Sequence, residues 1–157
     1  MSQPITVLGV GNTIMGDDGI GPAILARLQE LRGELVGVHF EDGGLGGLQL
    51  LDVVQECQRL LILDAVADSQ PAGTVVRLTG DQVPRLLSKK ISPHQVGLLD
   101  VLTAARLLGQ EPEIVEVVGV IPELVDLQVE LTATASRAIE PAAQLACQVL
   151  DEWLADQ

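Results

Sequence analysis

Two carboxylates and one imidazole, far apart along the chain, are the side chains of this sequence best suited to share a divalent ion. Asp18 follows the glycine-rich stretch Leu8-Gly9-Val10-Gly11-Asn12, Asp64 closes the apolar run Leu60-Leu61-Ile62-Leu63, and His94 comes directly after Ser92-Pro93. Such a set leaves positions for water or substrate and fits a borderline ion such as nickel, zinc or iron. At a helix start the macrodipole disfavours imidazolium, which biases His94 toward the neutral ring a metal requires. Each residue also has a plainer explanation: Asp64 as a hydrogen-bond anchor, Asp17 or Asp18 as a favourable charge at a helix N-terminus, His94 as a surface or capping residue. Only one of Asp17 and Asp18 is needed at that helix start, which leaves the other for chemistry.

A further acid, Asp42, sits in the glycine-rich segment Glu41-Asp42-Gly43-Gly44 after another strand. Asp-Gly is also an ordinary turn. His39, within a strand pattern, and Glu123, in a loop, read as structural. Cys57 has no neighbouring His and reads as packing. Lys89-Lys90 is the only pair of adjacent basic residues, a solvated surface feature that would also suit an acidic part of a partner. Neither H-E-x-x-H nor G-x-S-x-G occurs, so zincin and serine-hydrolase chemistry have no support. Gly9 and Gly11 open a dinucleotide fingerprint, but position 14 is Ile14, and a pyrophosphate at the helix start would face Asp17 and Asp18.

The elements that must position these groups follow from periodicity. Residues 5–8 form a short β-branched apolar run, a buried strand entering the first loop, and Ile20, Ile24, Leu25, Leu28 and Leu31 recur at helical spacing behind it until Gly33. A second strand is expected over 35–40, a short helix over 48–54, and a strand buried on both faces over 60–63. Pro71 lies in a turn before an outer strand at 74–78, and 81–87 fits one or two helical turns. Ser92 as N-cap, Pro93 at the first helical position and Gln95 in a capping box start a helix that Gly109 ends. A last strand over 114–120 stops before Pro122, and a final helix runs from about 134 to 154. Alternating strands and helices predict an α/β fold, a three-layer α/β/α sandwich with a mostly parallel, roughly five-stranded twisted sheet, in one domain over 1–157. Asp18, Asp42 and Asp64 then follow three different strands, at the edge where open α/β sheets take ligands.

Composition narrows the partners. A chain of 157 residues with 47% apolar content can bury a core, yet Phe40 and Trp153 are its only aromatics, so Leu, Val, Ile and Ala must fill it and base-stacking platforms are missing. A formal net charge of −13 disfavours nucleic acid and anionic membrane surfaces. Two cysteines without C-x-x-C spacing, no signal-like N-terminus and no membrane-length apolar run predict a cytoplasmic protein.

Six stretches in one order, Leu8-Gly9-Val10-Gly11-Asn12 with Gly16-Asp17-Asp18-Gly19-Ile20-Gly21, then Asp42-Gly43-Gly44, Leu63-Asp64-Ala65, Lys90-Ile91-Ser92-Pro93-His94-Gln95 and Val118-Gly119-Val120-Ile121-Pro122-Glu123, resemble the nickel–iron hydrogenase maturation endopeptidases. The resemblance implies an aspartyl-type protease that removes a C-terminal extension from a hydrogenase large-subunit precursor after nickel insertion. It places the metal ligands on Asp18, Asp64 and His94, and the catalytic acids among Asp18, Asp64 and Asp42, the last as a substrate contact or general base. The nickel is expected to arrive with the substrate, and another divalent ion can substitute. Members of that family often carry Glu at the first ligand position, so the shorter Asp18 implies an ion drawn closer to its loop or held more weakly. Two other classes stay open: a non-catalytic nickel-binding maturation chaperone using the same ligands, and a nucleotide-binding α/β domain.

Overall fold

The computed structural model describes residues 5–45, 47–87 and 93–156, and of 85–87 and 93–96 the backbone alone. Its sheet has the order β2-β1-β3-β5-β4, formed by β1 (Ile5–Val10), β2 (Val38–Gly44), β3 (Arg59–Ala65), β4 (Val75–Thr79) and β5 (Ile114–Val120). All neighbouring pairs are parallel except β4 with β5, so the outer strand expected at 74–78 is an antiparallel edge.

Strand alternation divides the core in two. Ile5, Val7, Leu61, Leu63 and Val118 pack beneath α1 (Ile20–Arg32) and α5 (Ala133–Ala155). Leu8, Val10, Leu60, Ile62 and Val117 face the other way, toward α2 (Leu51–Glu56), α3 (Gln82–Leu87) and α4 (Pro93–Leu107). Helices therefore cover both faces of a mostly parallel sheet, as the alternation of elements predicts. The continuous apolar stretches of β1 and β3 are buried on both sides for that reason.

Two strand boundaries differ from the sequence pattern. β1 runs through Gly9 and Val10, which the glycines disguise as loop. β2 starts at Val38, not 35, and continues through Glu41-Asp42-Gly43-Gly44, because register pairing of Gly9 with Asp42 and Val10 with Gly44 holds this segment extended whatever its side chains prefer. Gly43 is the extra residue of the resulting bulge.

α4 matters most for the site. Its C-terminal end lies at the amino edge of the parallel strands, where Gln110 bonds Gln55 and Glu113 N–H donates to Gln58 just before β3. A helix of 15 residues spans about 22 Å and a strand of seven about 23 Å. Running back along the sheet, α4 brings its first turn, with His94 in it, level with the carboxyl edge.

Candidate functional site

The first loop folds onto the sheet before α1 begins. A 3-10 turn, Gly16–Gly19, carries Asp17 and Asp18, and neither side chain caps α1, whose N-cap is Gly19. Neither acid is taken up as a side-chain cap, and α1 starts against the sheet. A Cβ on Gly21 would collide with the carbonyl oxygens of Val10 and Leu63, so only glycine lets the helix start sit over the ends of β1 and β3. That close approach draws the 3-10 turn against β3.

Asp18 and Asp64 are both fully buried at this edge. Asn12 N–H donates to Asp18 Oδ2 at 3.0 Å, and Ala65 N–H donates to Asp64 Oδ1 at 2.8 Å, so backbone fixes each carboxylate. β1 and β3 are neighbours, about 4.8 Å apart, and Asp64 lies one residue beyond the Gly9–Leu63 pair. Asp64 shares the parity of Leu60 and Ile62, so it belongs to the face covered by α4. The first turn of α4 holds His94 at that edge and on that face, while the His94 side chain lies outside the described residues, as do Lys89, Lys90 and Ser92. Among the described residues no three His, Cys, Asp or Glu side chains form an ion site. Two buried, backbone-anchored carboxylates, Asp64 near the end of β3 and Asp18 in the 3-10 turn packed against β3, fit the oxygen half of a mixed oxygen–nitrogen donor set for a borderline divalent ion.

Asp42 is exposed and accepts from Gly44 N–H at 3.0 Å, the Asx turn its sequence allows. With β1 between β2 and β3, Asp42 stands about 10 Å across the sheet from Asp64, too far to share one ion with it. His39 is exposed beside Glu41 at 3.5 Å. Cys57 is buried, its thiol donates to Val54 O, and burial pushes its pKa up, which suits packing and not nucleophilic attack.

Asp17 and Thr132 are the pair that spacing does not reveal. Asp17 Oδ2 accepts from Glu123 N–H, Leu124 N–H and the Thr132 hydroxyl, and Oδ1 accepts from Thr132 N–H at 2.8 Å. Burial alone would raise the Asp17 carboxyl, but hydrogen bonds from the Thr132 backbone and hydroxyl, Glu123 and Leu124 outweigh it and hold the pKa below its ordinary value. Thr132 Oγ1 also accepts from Ala135 N–H as the N-cap of α5. One residue before the candidate ligand Asp18, a buried carboxylate thus ties the first loop to the segment between β5 and α5.

The family model for hydrogenase maturation protease matches residues 22–149. Hydrogenase 2 maturation protease of Escherichia coli strain K12 is 40% identical over 149 residues, 94% of this chain and 91% of that one. The chain belongs to the hydrogenase maturation protease family. The structure of the hydrogenase maturating endopeptidase HybD from E. coli superimposes with a TM-score of 0.88 at 41% identity, covering 95% of this chain and 93% of the other. HybD from Thermococcus kodakarensis, a NiFe hydrogenase maturation protease, gives 0.75 at 25% identity over 93% and 98% of the two chains. Membership makes the protein an endopeptidase and removes the chaperone and nucleotide-binding alternatives. The buried acids of this hydrogenase maturation protease occupy the helix start where a pyrophosphate would have to bind.

Proposed function

We propose that the protein cleaves the C-terminal extension from the large-subunit precursor of a nickel–iron hydrogenase once nickel is in place, and that it recognises the substrate's nickel through Asp18, Asp64 and His94. The observation that carries this reading is the pair of fully buried carboxylates at the carboxyl edge, Asp64 on the face that α4 covers and Asp18 in the turn packed against β3. In a protease of this family, acids placed there are suited to an ion that the substrate presents. A precursor lacking nickel would leave two carboxylates and an imidazole with nothing to hold, so docking would be unproductive and metal loading proofread.

Water is the attacking group in this proposal: both cysteines are buried, and the sequence has no nucleophile elbow. Asp18 and Asp64 fix the ion against the peptide, and a carboxylate oxygen beside it accepts the proton of the attacking water, the sense in which the enzyme is an aspartyl protease. Asp42, exposed and one strand beyond β1, contacts the incoming chain. Two free thiols support a reducing, cytoplasmic location, where precursor would also be met. No helix among the described residues is long and apolar enough to cross a membrane.

The test is cleavage of purified precursor, nickel-loaded and nickel-free, read as product mass. Shortening of the loaded form alone is expected. Equal cleavage of both forms would refute nickel recognition, and an intact loaded precursor would refute the protease assignment.

A further inference from the structure

The segment between β5 and α5 leaves the sheet at β5 yet is stitched to the loop that follows β1. Gly16 N–H donates to Gln128 O at 2.8 Å, Gln128 N–H to Ile14 O at 3.0 Å and Asp17 N–H to Leu124 O at 2.9 Å, and Met15 pairs with Gln128 as an isolated parallel bridge. Because β3 lies between β5 and β1, this strap crosses the end of the strand that carries Asp64. Gly16 has φ +60°, and a Cβ there would meet Leu124 O at 2.7 Å, so the contact is built into the backbone.

Its outward side is unusual for an acidic protein. Leu127 and Val129 are 76% and 77% exposed, with Ile14 and Leu124 beside them, while Leu45 and Leu48 are exposed after β2 on the far side of the same loop. Exposed Glu123, Asp126 and Glu130 alternate with these apolar side chains along the strap. Apolar side chains gathered on a hydrogen-bonded frame, next to buried acids and rimmed by polar residues, mark a contact surface.

We infer that the strap is the docking surface for the substrate polypeptide around the cleaved bond, and that it takes a segment carrying aliphatic side chains together with lysine or arginine. This rests on the protease reading. Continuity with the Asp18–Asp64 edge names the occupant, and the interleaved carboxylates, on a chain of net charge −13, name its sign. A second copy of this acidic chain is the poorer occupant because it brings the same charges.

The experiment compares wild type with Leu127→Ser plus Val129→Ser, and with Leu107→Ser plus Leu108→Ser as a control pair, also exposed but at the opposite edge. Nickel-loaded precursor is titrated to obtain Kd, and cleavage gives KM and kcat separately. The strap pair raises Kd and KM about tenfold and leaves kcat within about twofold, while the control pair matches wild type. An unchanged Kd in the strap pair, or the same increase in the control pair, overturns the docking surface. So does a strap pair that alters only self-association in sedimentation. If wild type binds the precursor without cutting it, the protease assignment fails, and the Kd comparison still decides the strap.

Discussion

Adjacent in sequence and equally buried, Asp17 and Asp18 have separate roles because their partners differ. Asp17 accepts from N–H and O–H donors of Glu123, Leu124 and Thr132. Asp17→Ala leaves those buried donors without an acceptor and should destabilise the fold by about 3 kcal/mol, read from urea denaturation. Its folded pKa lies below the ordinary carboxylate value, so its contribution is complete above that value and is lost as pH falls through the folded pKa. Wild-type stability should therefore fall more steeply than that of Asp17→Ala in acid titrations below about pH 4. In the proposed site Asp18 acts through its charge. Asp18→Asn should keep the fold by circular dichroism and lower kcat/KM on nickel-loaded precursor by at least about 100-fold. Asp18→Glu, which restores the carboxylate one methylene further out, should stay within about tenfold of wild type. Similar losses in both variants would mean that the carboxylate is not the acting group.

Among the elements, those that bury a regular apolar stripe were legible from sequence: α1, the body of α4, β3, β5 and α5. The capping chemistry around Pro93 marked where α4 starts, and that start places His94 at the carboxyl edge. β2 was less legible, since an edge strand containing Gly43 and Gly44 takes its form from pairing with β1 rather than from its own preferences. The strap was not legible at all. Its structure consists of backbone hydrogen bonds to residues more than a hundred positions away, which leave no periodicity behind. Asp64 could be singled out because a charge ending a four-residue apolar run is conspicuous, whereas Asp17 and Thr132 are unremarkable until their contacts are known. Gly21 shows how closely the elements are fitted. Gly21→Ala puts a methyl into the carbonyls of Val10 and Leu63, forcing α1 and the 3-10 turn away from β3. Destabilisation of more than about 2 kcal/mol is expected. Cleavage should also fall in assays run well below the melting temperature, because the carboxylate of Asp18 moves with the turn. Full activity in a destabilised Gly21→Ala would detach the position of that turn from catalysis.

At the scale of the whole molecule, a net charge of −13 acts on folding and on substrate capture in opposite senses. Within the folded chain, like charges repel, and arginine contacts such as Arg27 with Glu140 and Arg77 with Glu116 offset this only locally. Across the docking edge the same excess attracts a basic substrate segment. Salt screens both, the Debye length shrinking from about 10 Å at 0.1 M to about 3 Å at 1 M. Relief of self-repulsion should raise the melting temperature with added sodium chloride, by about 3 °C if about 1 kcal/mol is recovered. Loss of attraction should raise KM for the precursor several-fold over the same range, with kcat little changed because the buried acids at the edge are screened least. Neutralising the strap alone, by Asp126→Asn with Glu130→Gln, should flatten the salt dependence of KM while leaving that of the melting temperature almost as it was. A KM that ignores salt in wild type, or that keeps its slope in the neutralised strap, would show that the negative charge serves solubility and takes no part in drawing the substrate to the site.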